Sequence, residues 1–161
     1  YHIDVSHLHA VVRFARFLTP GMPELKFAIE LADYGSHLSE QFQYPGDPPF
    51  EEYYPAHARY FRVLLGENVA EGLAYFRKKI DQEPDEQDKP ILAYVLSDLL
   101  IRIGRKADAV DLAAKYLSSV DESTGFSLTR LCLDTGGYDA LKDAARERGD
   151  LIGYAAALLQ Q

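Results

Sequence analysis

One stretch limits what this chain can fold into. Residues 90–117 read as two helices back to back around a single glycine. Leu92, Val95, Leu96, Leu99, Leu100 and Ile103 recur every three or four residues, which is one face of an α-helix. Asp98 and Arg102 lie on the opposite side, four apart, in position to pair across one turn. Pro90 suits a first helical turn, where its missing N–H costs little. Gly104 stops the helix, because glycine takes the left-handed conformation past a helix end without a side-chain clash. Ala107, Val110, Leu112, Ala113 or Ala114, and Leu117 then resume helical spacing. Ala109 and Ala113, four apart, let the two helices approach closely, and the short connection makes the pair antiparallel.

The rest of the chain agrees with an all-α reading. Its 161 residues suffice for one small domain or array, helix formers dominate, and no run alternates as a strand does. A formal charge of −8 argues against a general nucleic-acid binder, which carries a basic face, and reads as solubility. The single Cys132 excludes an internal disulfide framework. Set between Leu131 and Leu133, it reads as a buried, inert thiol. No apolar run reaches transmembrane length and no signal peptide is visible, so no membrane is expected and the cytoplasm is the expected compartment. A chain that begins at Tyr1 rather than Met reads as a segment of something longer.

Taken in order, residues 1–43 read as an N-terminal helix pair. Asp4 and Ser6 are candidate N-caps, and Leu8, Val11, Val12, Phe14 or Ala15, and Leu18 form a stripe. Leu25, Ala28, Ile29, Ala32, Gly35 and Leu38 form the second stripe. His2, His7 and His9 do not converge as metal ligands should, nor do His37 and Glu40, so no metal or cofactor is expected. Residues 44–54 are a proline-rich connector. Tyr44, Phe50, Tyr53 and Tyr54 make it a candidate docking loop, although the same aromatics would serve a structural clasp. Helical stripes then run over 55–65 and 69–81, with Asn68 to Glu71 read as a capping box. Helices over 126–133 and 138–148 follow the central pair. Residues 151–161 are apolar on nearly every side. Such a helix must be covered by the fold, by further chain or by a second subunit.

Gly66, Gly104 and Gly136 separate paired helices at intervals in the thirties, the period of helix-pair solenoids. The central unit resembles a tetratricopeptide repeat. Leu96, Ser97, Leu100, Gly104 and Ala109 fall on that family's large, small, large, glycine and alanine positions. Ala113 stands where its aromatic is expected and Tyr116 where its second alanine is. Gly72, Phe76 and Pro84 match in the preceding unit, and Gly136 and Tyr138 in the following one. The resemblance spans about 55–148. It implies a degenerate repeat, with antiparallel helix pairs stacked as a short right-handed superhelix over a single domain, 1–161.

The resemblance also implies a concave face lined by the first helix of each pair, where such proteins hold an extended peptide. On this chain that face maps to Tyr94, Asp98 and Arg102, to Phe126 and Arg130, and to His57 with Tyr60 or Phe61. Arginines grip carboxylates in bidentate fashion and aromatics anchor at low entropy cost. Family members that clamp a terminal carboxylate carry lysine and asparagine where this chain has Tyr94 and Asp98, so that specificity is not implied. The expectation is a non-catalytic module binding a protein or peptide. One alternative is self-assembly, a homodimer through the 151–159 helix. The other is an enzyme using Glu51, Glu52 and His57, although no phosphate loop, metal spacing or nucleophile elbow is present in the sequence.

Overall fold

A computed structural model of the chain describes residues 18–41, 53–84, 86, 88–119 and 127–159. Among these, the regular elements are α-helices and no strand occurs. We number them α1 (Glu24–Gln41), α2 (Tyr53–Leu65), α3 (Val69–Gln82), α4 (Lys89–Arg102), α5 (Lys106–Tyr116), α6 (Leu128–Thr135), α7 (Tyr138–Arg148) and α8 (Leu151–Leu159). The stripe expected over 1–17, the connector residues 44–52 and Phe126 lie outside the described residues. The chain divides into two compact units, residues 1–79 and 80–161, with the boundary inside α3.

In the first unit α1 packs on α2. It buries Leu25, Ile29 and Ala32, three of the residues its stripe selected. From α2 come Ala56, Ala58, Tyr60, Phe61, Val63 and Leu64. The turn before α1 is tied to the end of α2, because Gly21 N–H donates to the Leu64 carbonyl at 3.0 Å. Asp33 of α1 pairs with Arg62 of α2 at 2.6 Å. Helix α2 starts two residues before Pro55, which therefore sits within its first turn, where the ring is tolerated. Helix α3 lies so close to α2 that a Cβ on Gly72 would stand 2.3 Å from Val63 Cγ2. Asn68 has φ +49, so it enters α3 from the left-handed region that asparagine tolerates, not from the extended backbone of a capping box.

In the second unit α4 and α5 form the pair that the central stretch dictates. Gly66, Gly104 and Gly136 have φ of +90, +84 and +76, so the three glycines aligned as turns all use the left-handed conformation. At the central one, Arg105 N–H reaches back to the Leu100 carbonyl at 2.7 Å and closes the end of α4. Ala109 and Ala113 are fully buried, which is what close helix approach requires. Leu92, Leu96, Leu99 and Leu100 are almost wholly enclosed, each contributing about 1.5–3 kcal/mol of burial.

A second core joins the later helices. It gathers Tyr94 of α4, Val110 and Ala113 of α5, Leu117 just past the end of α5, Leu128, Leu131 and Cys132 of α6, Leu141 and Ala144 of α7, and Ala157 of α8. Ser118 and Ser119 pin the start of α6 by accepting the Leu128 and Thr129 N–H groups at 2.9 and 3.0 Å. The Ser127 hydroxyl caps it from the Arg130 N–H at 3.2 Å. Arg148, in the last turn of α7, donates to the Leu117 and Ala114 carbonyls and so closes the end of α5.

Candidate interaction surfaces

The residues mapped to a concave face divide by environment. Tyr94 is 5% exposed and belongs to the second core. Val110, Ala113, Leu128 and Leu131 share its core, so little of the side chain expected on the concave face is open to solvent. Tyr60 is 2% exposed, its ring in an edge-on pair with Phe61 at 5.9 Å between centroids. Asp98 and Arg102 do pair, Arg102 Nε donating to Asp98 Oδ2 at 2.6 Å, with 18% and 15% of the side chains exposed. Arg102 thus meets its carboxylate within its own helix. Arg130, on α6, is exposed. His57 is half-buried on α2. Beside it in sequence, the Arg59 guanidinium sits 4.3 Å above the Tyr75 ring, with Lys79 on the same ring at 5.7 Å. Burial pushes the Tyr75 phenol above its usual range, against the opposing pull of Arg59.

Tyr44, Phe50, Glu51 and Glu52 lie outside the described residues, as does Phe126. Tyr53 and Tyr54 open α2. Among the described residues no group of three or more His, Cys, Asp or Glu is arranged to hold a metal ion. No helix there is long and apolar enough to cross a membrane. Cys132 is fully enclosed, and burial pushes its thiol up to about 11.

No family model, curated protein or solved structure matches this chain. The surfaces must therefore be read from the side chains themselves.

Among the described residues, two apolar rows face outward. On α1, Phe27, Leu31 and Tyr34 recur at i, i+4 and i+7 and are 69%, 59% and 59% exposed. The stripe chosen for that helix was its inner one. The outer row has the same helical spacing, and only the packing against α2 decides which row is buried. On α8, the covered edge is Gly153 and Ala157, while Leu151, Ile152, Leu158 and Leu159 face outward. The start of α8 is held firmly. Asp150 Oδ1 accepts the Gly153 N–H at 2.9 Å, and the Asp150 carbonyl accepts the Tyr154 N–H at 3.0 Å. The Gly153 N–H holds the Asp150 carboxyl below its usual range, against the opposing pull of burial.

The contacts of Arg148 were not legible at all. A cation in a last helical turn reads as serving its own helix end. Only the packing of α7 on α5 offers it the carbonyls of another helix.

Proposed function

We propose that the chain is a non-catalytic protein-interaction module. Its helix pairs stack as a short right-handed superhelix, and it holds a peptide or partner segment along the first helices of successive pairs. The observation that supports this is the shared core of Tyr94 with Leu128 and Leu131. It gives α4 and α6, the first helices of consecutive pairs, a common core, with Arg130 exposed on α6 and Asp98 and Arg102 only partly exposed on α4. Arg130 is the group best placed to meet a partner carboxylate, and Arg102 joins it only by sharing its bond with Asp98. The reading makes Tyr94 a residue that shapes the surface from beneath rather than a contact.

The test is affinity capture from a lysate of the source cells by the wild type and two variants. One carries Arg130→Glu. The other carries Asp98→Ala with Arg102→Ala, which removes both charges of the pair. A partner captured by the wild type and lost on Arg130→Glu, at unchanged circular dichroism, supports the surface. Capture that is equal in all three proteins refutes it.

A further inference from the structure

Helix α8 turns its widest apolar row away from the fold that carries it. Leu151, Ile152, Ala155, Leu158 and Leu159 recur at i, i+1, i+4, i+7 and i+8, one continuous helix face, and all five are exposed. The exposure reaches 82% at Leu151 and 87% at Leu159. The helix is not a loose end. Ala157 belongs to the second core, and Gly153 lies so close to Ser119 that a Cβ there would stand 2.5 Å from the serine Cβ. At roughly 30 Å² for each methylene-sized group, the row offers about 400 Å² of apolar surface. The largest apolar patch on a monomer is typically of this size and is often functional.

We propose that this row is a self-association surface whose occupant is the same row of a second copy, laid antiparallel across a two-fold axis. The pattern itself carries the argument, because it is palindromic. Reversal exchanges Leu151 with Leu159 and Ile152 with Leu158, and leaves Ala155 in place. A two-fold axis through Ala155 makes each of these contacts occur twice, so every contact in the row is apolar on apolar. Large residues then meet large residues at both ends, and the smallest side chain of the row lies where the two helices cross. Residues 151–159 carry no charge, although the chain as a whole carries −8, so pairing this row brings no like charges together. Antiparallel helices also oppose their dipoles. Two such rows bury about 800 Å² together, below the roughly 1,200 Å² of stable complexes, so the dimer is weak and concentration-dependent. This inference does not rest on the concave-surface reading.

Sedimentation velocity on the 161-residue chain, from about 10 μM to about 1 mM, tests it in the affinity range of a small interface. The wild type should move from monomer toward dimer as concentration rises. Leu151→Glu and Leu159→Lys alter exposed side chains and leave circular dichroism unchanged, and each alone should weaken self-association at least about tenfold. An equimolar mixture of the two should associate again, because antiparallel pairing sets Glu and Lys against each other. A wild type that stays monomeric throughout overturns the proposal, as do variants that associate as the wild type does. A mixture that stays monomeric while the wild type dimerises overturns the antiparallel pairing. A wild type that binds phosphatidylcholine vesicles without dimerising assigns the row to a membrane surface and overturns the second copy as its occupant.

Discussion

The Arg102 guanidinium meets the Asp98 carboxylate at 2.6 Å across one turn of α4, with both side chains mostly withdrawn from solvent. Partial burial raises the worth of such a pair above that of a surface pair and makes an orphaned partner costly. Arg102→Ala should therefore destabilise the chain more than Asp98→Ala combined with Arg102→Ala. A double-mutant cycle by urea unfolding should return a coupling of roughly 0.5–1 kcal/mol. A coupling near zero would show that the pair contributes nothing beyond solvation of its two ends.

Gly153 is a packing position, not a helix defect. Alanine in a helix interior is normally better than glycine by about 1 kcal/mol. Here the added Cβ would lie 2.5 Å from Ser119 Cβ and 2.8 Å from Asp150 Oδ2. Overpacking of this kind costs about 1–3 kcal/mol, so Gly153→Ala should lower stability despite its helix propensity. Adding Ser119→Gly removes the nearest atom and should restore most of the loss in a thermal melt. If Gly153→Ala alone raises the melting temperature, α8 is not seated against Ser119 as described.

Asp150 makes the start of α8 sensitive to acid. Its folded carboxyl is held below the ordinary value of 3.8, first by the Gly153 N–H. A depressed carboxylate adds stability above its unfolded pKa and loses it as pH falls through the folded one. Asp150→Asn keeps a capping oxygen without the charge. The variant should fall slightly below the wild type at neutral pH, and the gap should close below about pH 4. Urea midpoints measured from pH 7 to pH 2.5 decide this, and a gap that stays constant with pH would refute the carboxylate's role.

Cys132 should be chemically silent in the folded chain. With its thiol pushed up to about 11 by burial, it should react with a disulfide reagent at pH 8 at least about a hundredfold more slowly than in urea. The sign of the pH effect is opposite to that at Asp150. The unfolded thiol ionises first, so stability falls as pH rises from about 9 toward 11. Cys132→Ala should remove that slope. Rapid labelling of the native chain at pH 8 would contradict the burial.

The sequence by itself determined the helical class, most helix limits and the turns. Those are local properties: a stripe every three or four residues, a glycine free to turn left-handed after Ile103, a serine, asparagine or proline near a helix start. Helix α7 runs over 138–148 as its spacing predicts, and Gly104 turns as its position demands. What only the tertiary structure decided is which of the chain's apolar faces become interior. Tyr94 and Tyr60 read as surface anchors by position, yet both are enclosed by neighbouring helices. Phe27 and Leu31 repeat at the same helical spacing as the buried Leu25 and Ile29, yet they stand exposed on α1. Arg148 finds the carbonyls of α5 only because α7 packs there. Burial depends on partners distant in sequence, and no local pattern of spacing or propensity encodes where those partners come to lie.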